Sequence, residues 1–222
     1  MLKEIQQIFR RKGLIEQSIE DCIEMLKNDW EMFTESVKSL RESDTADIPL
    51  DIEAKDIQIN KFEREVRKKV LTHLAVNDVS DLNIGLTLIN IVVDIERIGD
   101  YCKNIVELAQ NHPGKLFFDQ WEKEMKQMED TISNNFDVLI KVLKEANTDL
   151  AKQLLDELWT VKKTCENFNM TLLKNSDLNL KVTDAVALAL YMRYLKRIAS
   201  HLMNVASSIV NPFHRIGYRA IG

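Results

Sequence analysis

Two acidic residues in the segment DIERIGDYCKNI have the spacing of a metal-binding pair on a helix. Glu96 and Asp100 are four residues apart, so a helix places both carboxylates on one face. Like charges at this spacing cost about 0.2–0.5 kcal/mol, and a bound cation removes that cost. Gly99 lies between them and costs roughly 1 kcal/mol relative to alanine in a helix, so we expect a neighbouring element to pack closely against it.

A second polar stripe occurs upstream, in the segment AKDIQINKFEREV, where Asp56, Asn60 and Glu63 follow one another at intervals of four and three. If the two helices are antiparallel neighbours, Asp56 and Asn60 approach the half of the later helix that carries Glu96 and Asp100. Oxygen ligands of this kind suit hard cations such as Mg, Ca or Mn, and carboxylate-rich sites also hold iron. The spacing leaves a second interpretation open, a solvated polar face whose carboxylates are screened by basic neighbours.

Other function classes lack their sequence signatures. The formal net charge of -5 provides no basic excess for binding nucleic acid. No GxSxG, GxGxxG, phosphate-loop or HExxH motif occurs, and none of the four histidines follows a glutamate at the three-residue spacing of a ferritin-like di-metal site. The three cysteines are far apart in sequence and are predicted to be buried thiols. We therefore predict that the protein is not an enzyme.

The sequence also lacks the patterns that direct a chain into or across a membrane. Its first 13 residues contain no apolar h-region, and the longest uncharged stretch, residues 198–214, includes too many polar side chains to span a bilayer. These features predict a cytoplasmic protein. Residues 5–12 combine apolar and basic side chains, which suits either a short helix that docks on a partner or membrane surface, or a frayed N-terminus.

The composition predicts an all-α fold. Six glycines, three prolines and 7% aromatic residues are too few for the many turns of an all-β chain. Pro49, Pro113 and Pro212 fall where the apolar periodicity stops, as is typical of helix ends. Between these breaks the periodicity predicts six helices, at about residues 13–43, 51–76, 79–111, 117–146, 149–175 and 180–211.

An apolar seam in the third predicted helix recurs in the sixth at an offset of one hundred residues, together with an RI dipeptide and an asparagine. The seam positions are Ile84, Leu88, Ile91, Ile95, Ile98, Cys102, Ile105 and Ala109, and then Leu188, Tyr191, Leu195, Ile198, Leu202, Val205 and Ile209. This agreement predicts two tandem antiparallel three-helix bundles related by internal duplication. The first covers residues 1–112, including an N-terminal extension at 1–12, and the second covers residues 113–222.

The segment DLNIGLTLINIVVDIERIGDYCKNIVELA resembles the signature helix of the PhoU family, in which an ERIGD core follows an apolar run opened by an Asp-Leu pair. The upstream AKDIQINKFE is similar to the family's second-helix pattern of Asp followed four residues later by Asp or Asn. The resemblance implies a PhoU-like fold with metal ligands at Asp56, Glu96 and Asp100. Asn60 is a weaker candidate, because an amide oxygen adds no charge. The implied cofactor is a divalent or trivalent ion, Fe, Mn, Zn or Mg.

The resemblance also implies a function, the regulation of phosphate uptake and phosphate-starvation signalling. Such a regulator acts by metal-dependent binding to a phosphate ABC transporter or a sensor histidine kinase. The alternative is a metal-free helical adaptor, or an accessory protein of a sodium-phosphate cotransporter that reaches the membrane only through its partner. A homodimer that shares ligands across two chains is a further expectation.

The second repeat departs from the family pattern. In RYLKRIASHLMNV, Lys196 and Ser200 take the positions that match Glu96 and Asp100. A lysine ammonium repels a cation, so we predict that this degenerate second motif binds no metal. His201 lacks acidic companions in the sequence, and we expect it to be a surface or packing residue rather than a ligand.

Overall fold

The computed structural model describes residues 13–44, 50–77, 79–174 and 180–218. Within these ranges the regular structure is helical, with no strand. The long helices are α1 (Leu14–Glu42), α2 (Ile52–Val76), α3 (Leu82–Asn111), α4 (Glu122–Glu145), α5 (Thr148–Lys174) and α6 (Val182–Val210). Single 3-10 turns occur at Val79–Asp81, Asp119–Trp121 and Phe213–Arg215. The all-α prediction is confirmed. Residues 1–12, for which a docking helix and a frayed terminus were both open, lie outside the described residues.

The helix limits agree with the predicted ones except at the start of α4. The periodicity placed that start at residue 117, but α4 begins at Glu122. The preceding chain is held in an extended path, because the Leu116 amide donates to the Leu40 carbonyl at 2.8 Å. The 3-10 turn Asp119–Trp121 then reverses the chain into the helix. A contact between distant residues therefore overrides the local helical pattern.

The other helix ends follow local chemistry. The Asp51 side chain accepts a hydrogen bond from the Ala54 amide at 2.9 Å and so caps the start of α2. α3 stops before Pro113, and Gly114 follows with φ of 114°, a backbone conformation that side chains with a Cβ rarely adopt. Ala146, with φ of 49°, supplies the left-handed residue between α4 and α5.

The helices form two bundles, as the internal duplication predicted. α1, α2 and α3 pack against one another, and so do α4, α5 and α6. The bundles meet where α3 packs against α6 and α1 packs against α4. α3 and α6 run antiparallel, since Asp94 lies 2.7 Å from His201 while His112, near the other end of α3, lies 3.1 Å from Asp184. The metal-ligand candidates of α3 therefore lie on the bundle that also contains α1 and α2.

Each of the two predicted seams is buried except for one residue. Ile84, in the first turn of α3, is 40% exposed, because Gly85 rather than Ile84 faces α2, where a Cβ on Gly85 would lie 2.9 Å from a Leu74 methyl. Ile209, in the last turn of α6, is only partly buried. The three cysteines are buried as free thiols, as predicted. Among the described residues, no helix has the length and apolarity needed to cross a bilayer.

Candidate metal centre

α2 and α3 bring two of the predicted ligands together around a lysine. The Lys103 ammonium lies 2.8 Å from Asp56 Oδ1 on α2 and 2.9 Å from Asp100 Oδ1 on α3. Both carboxylates raise the pKa of Lys103, against the opposing effect of its partial burial. The structure therefore brings Asp56 of α2 close to Asp100 of α3, and the lysine that joins them was not predicted from the sequence.

Glu96 lies on the same face, one helical turn before Asp100, and is less exposed. Its side chain is 17% exposed, against 29% for Asp100. Burial raises the pKa of Glu96, and the neighbouring charge of Asp100 raises it further. Arg97 screens the pair from the solvent side, with nitrogens 3.6 Å from Glu96 Oε2 and 3.1 Å from Asp100 Oδ2. The charges of Arg97 and Lys103 lower the pKa of Glu96, but they do not cancel the effect of burial and of Asp100.

Asn60 contacts the cluster through its amide nitrogen. Its Nδ2 donates to Asp56 Oδ2 at 3.1 Å, so in this arrangement Asn60 orients a carboxylate. Glu63, the third member of the polar stripe on α2, pairs with Arg67 at 2.8 Å. Asp56 and Asn60 thus bond each other in the cluster, while Glu63 has its own cation and also raises the pKa of Glu96.

Asp29 on α1 is a member of the cluster that the sequence reasoning missed. It is 0% exposed, and neither of its carboxylate oxygens has a hydrogen-bond partner in the part of the chain that the structure describes. Burial raises the pKa of Asp29 well above its ordinary value, and the charges of Glu96, Asp56 and Asp100 raise it further. A fully buried polar group is almost always paired, so this carboxylate marks an incomplete site.

Gly99 allows Asp29 to reach the cluster. A Cβ at position 99 would lie 3.0 Å from Asp29 Oδ1 and 3.3 Å from Ile59 Cδ1. Both distances are shorter than ordinary van der Waals contact. The expected close packing is therefore present, and the neighbour is an acidic side chain of the first helix.

The donor set fits a hard cation once Lys103 is displaced. In the described residues, no three carboxylate, histidine or cysteine side chains are already arranged to hold a metal ion. Lys103 bonds Asp56 and Asp100, and neither oxygen of Asp29 has a partner among the described residues. The charges of Glu96, Asp56 and Asp100 act on Asp29, and a set of four carboxylates without histidine or thiolate suits Mg, Mn or Fe rather than Zn.

The second bundle provides a different arrangement at the matching positions. Lys196 pairs with Glu166 on α5 at 3.0 Å, and the Ser200 hydroxyl donates to the Lys196 carbonyl at 2.8 Å. Ala199 replaces Gly99 and is buried. His201 on α6 is buried against α3, where its Nδ1 lies 2.7 Å from Asp94 Oδ1, so it is a packing residue between the bundles.

Comparison with known proteins assigns the family. The model of the PhoU domain matches residues 22–109 and residues 125–209, one copy in each bundle. The chain belongs to the PhoU family. Members of this family are accessory proteins that regulate phosphate transport, and they are not enzymes.

Several relatives and solved structures are similar to this chain over most of its length. A phosphate-specific transport system accessory protein PhoU homolog of Clostridium acetobutylicum is 25% identical over 92% of this chain and 88% of its own. A Synechocystis protein of the same description is 24% identical over 72% of each chain. PhoU from Pseudomonas aeruginosa (TM-score 0.74, 19% identity, 89% of this chain and 95% of that one) shares the fold. So does PhoU from Streptococcus pneumoniae (TM-score 0.75, 15% identity, 88% and 93%).

Proposed function

We propose that this protein regulates phosphate uptake and phosphate-starvation signalling by metal-dependent binding to a phosphate transporter or its sensor kinase. The observation that carries the metal requirement is the fully buried Asp29 carboxylate, which faces three further acids and has no partner among the described residues. A buried carboxyl group without a hydrogen-bond partner is costly, and a bound cation would satisfy it. Family membership supplies the link to phosphate transport.

Asp56, Glu96 and Asp100 would hold the ion, with Asn60 orienting Asp56. The ion would supply the positive charge that the cluster lacks, and it would join α2 to α3 at a place now joined by Lys103. Binding would also release the Lys103 ammonium toward solvent. The loaded and unloaded proteins would therefore present different charges on the α2–α3 face, a difference that a partner can recognise.

The partner is proposed to be a component of a phosphate-transport system on the cytoplasmic side of the membrane. The curated relatives from Clostridium and Synechocystis are described as accessory proteins of a phosphate-specific transport system, which supports this choice. An ABC transporter with its sensor histidine kinase is the first candidate, and a sodium-phosphate cotransporter is the alternative.

A metal-free helical adaptor is the second candidate function. It is favoured by Lys103, whose ammonium already neutralises Asp56 and Asp100. In that case the protein would bind its partner with Lys103 in place, and neither chelator nor added metal would change the interaction.

The experiment that separates these functions uses cells that lack the chromosomal copy of this protein. We would express the wild type, Glu96→Gln with Asp100→Asn, or Lys196→Gln with Ser200→Ala as the matched change in the second bundle. The metal-dependent function predicts that the first variant alone loses both bound metal and control of phosphate uptake. Unchanged uptake control in a variant without metal would reject the metal requirement and favour the adaptor.

A thermal-unfolding measurement on the same proteins checks metal binding directly. An ion present at about 100 times its dissociation constant stabilises a protein by about 2.7 kcal/mol. The wild type and the second-bundle variant should therefore melt higher with added Mn²⁺ than with chelator. The Glu96→Gln, Asp100→Asn variant should show no such difference.

A further inference from the structure

Asp29 lies deeper than the other acids of the candidate metal centre. Its side chain is fully buried, whereas the side chains of Asp56 and Asp100 are 17% and 29% exposed. Lys103 bonds the two outer carboxylates, and neither oxygen of Asp29 receives a hydrogen bond from a described residue. The cation supplied by the chain therefore serves the outer half of the cluster and leaves the inner half unpaired.

Neutralising Asp29 by protonation would not satisfy it. A protonated carboxyl needs an acceptor for its hydrogen and a donor for its other oxygen. Both oxygens of Asp29 are without a partner in the described part of the chain. The Cys102 thiol donates to the backbone carbonyl of Asp29 at 4.0 Å and not to its carboxylate. A ligand that accepts electron pairs from both oxygens satisfies this position better than a proton does.

The second bundle contains an independent version of the same position. Glu129 on α4 lies one hundred residues after Asp29 and is 4% exposed. Its Oε1 accepts hydrogen bonds from Arg41 Nε at 2.9 Å and from the Tyr191 hydroxyl at 2.7 Å. The buried carboxylate of the second bundle thus receives a guanidinium from α1 of the first bundle, whereas that of the first bundle receives no cation from the described residues.

We infer that Asp29 is a direct ligand of the metal ion, contributed by α1 in addition to the α2 and α3 residues. This inference rests on the proposed metal site and adds a residue that neither the ExxxD spacing nor the family resemblance indicates. The ion then joins all three helices of the first bundle. Gly99 is required because any larger residue would displace the Asp29 carboxylate.

A ligand on α1 also connects the metal site to the contact between the bundles. Trp30, the next residue, donates from its indole nitrogen to the Ser133 hydroxyl on α4 at 3.1 Å. Metal binding through Asp29 restrains the turn of α1 that makes this contact. The presence of metal is therefore expected to reduce hydrogen exchange in this turn of α1 as well as in α2 and α3.

The test is to titrate metal-free protein with Mn²⁺ and to measure binding by calorimetry and by electron paramagnetic resonance of the free ion. Asp29→Asn preserves the shape of the side chain and removes its charge, and we expect Mn²⁺ affinity to fall at least tenfold. The matched control is Asp21→Asn, which removes an acid of the same helix that is paired with Lys69. Affinity of the control should stay within twofold of the wild type.

The stability of the metal-free proteins provides a second readout. Because Asp29→Asn keeps the shape of the buried side chain and replaces an oxygen that has no hydrogen-bond partner among the described residues, the metal-free variant should melt at or above the temperature of the metal-free wild type. Asp29→Ser, with a smaller side chain, replaces it if the asparagine variant does not fold. A purely structural role for Asp29 predicts the opposite pair of results, a lower melting temperature with unchanged Mn²⁺ affinity.

Different results would overturn the metal site and the role of Asp29 as a ligand. Unchanged Mn²⁺ affinity in Asp29→Asn, with loss of binding in Glu96→Gln, Asp100→Asn, would overturn the role of Asp29 and leave the metal site in place. A wild type that binds none of Mn²⁺, Mg²⁺ or Zn²⁺ would overturn both. Loss of affinity in Asp29→Asn with retention in Asp21→Asn is the result that supports the inference.

Discussion

The two bundles bury a carboxylate at the same position of their first helix and surround it differently. In the second bundle, Glu129 is paired with Arg41 and Tyr191, and Arg41 comes from the first bundle. In the first bundle, Asp29 has no partner among the described residues and faces three other acids. The comparison indicates that one repeat satisfies its buried acid within the chain, whereas the other leaves it available to an external cation.

The residues around the two positions differ in a consistent way. The first bundle keeps Gly99, Glu96 and Asp100, which leave space and add negative charge. The second bundle has Ala199, Lys196 and Ser200 there, which fill space and add positive charge. The second repeat thus differs from the first in the α3 features that favour a bound cation, whereas Asp156 still matches Asp56 at the same offset.

The largest effect is expected from Arg41→Met, which leaves Glu129 buried without its cation. Removing one partner of a buried ion pair typically costs about 3–5 kcal/mol. Arg41 also bonds Glu122 and the Leu116 carbonyl, so additional groups lose a partner. Urea unfolding should show a strongly lowered free energy of unfolding. The double variant Arg41→Met, Glu129→Gln should recover part of the loss, and a loss below about 1 kcal/mol in the single variant would contradict the pairing.

Gly99→Ala should weaken metal binding about tenfold, equivalent to about 1.4 kcal/mol. The new methyl group would lie 3.0 Å from Asp29 Oδ1 and would push that carboxylate away from the ion. The matched control is Ala199→Gly, which should cost about 1 kcal/mol of stability through helix propensity and leave metal affinity unchanged. Calorimetric titration with Mn²⁺ measures both, and equal affinities would show that Gly99 has no role in the site.

Lys103→Gln should increase metal affinity severalfold. The ammonium competes with the ion for Asp56 and Asp100, but it is 31% exposed, so its removal is expected to change binding by about 1 kcal/mol or less. Lys196→Gln removes the lysine of the second bundle that pairs with Glu166, and it should not change Mn²⁺ affinity. A weaker affinity in Lys103→Gln would mean that the lysine helps to hold the site together.

The smallest effect concerns acid stability in the second bundle. Hydrogen bonds from Lys163 and Lys196 lower the pKa of Glu166 from 4.5 to about 2. Because the folded-state pKa is the lower one, the stabilisation is present above about pH 4.5 and is lost as the pH falls toward 2. Glu166→Gln should therefore lose less stability on acidification than the wild type, by about 0.5 kcal/mol or less for an exposed pair. Thermal melts of both proteins at pH 7 and pH 3 would detect this difference. An equal loss of stability in the variant and the wild type would contradict the prediction.

Much of the fold is predictable because its determinants are local and periodic. The seams of α3 and α6 and the proline positions set the number and limits of the helices, and the offset of one hundred residues predicts the duplication. The predicted burial of Ile84 and the predicted start of α4 were wrong. The first depends on the packing of Gly85 against Leu74 and the second on the Leu116–Leu40 hydrogen bond, and both contacts join different elements. Periodicity contains no information on such contacts.

The candidate site was predictable only in part for a similar reason. The ExxxD spacing places Glu96 and Asp100 on one face, but the Lys103 bridge depends on how α2 and α3 are positioned. Asp29 was not predicted as a site residue, because the apolar face of α1 also contains several other buried polar residues, including Ser18, Asn28, Ser36 and Ser39. A charged residue between the apolar positions Leu26 and Met32 was the available signal.

The most direct test of the account is elemental analysis of protein purified without chelators or affinity metals. The wild type would be compared with Glu96→Ala, Asp100→Ala and with the matched second-bundle variant Lys196→Ala, Ser200→Ala. The account predicts stoichiometric Fe, Mn or Mg in the wild type and the second-bundle variant, and its loss from the first-bundle variant. A wild type without metal, or metal that survives the loss of Glu96 and Asp100, would contradict it.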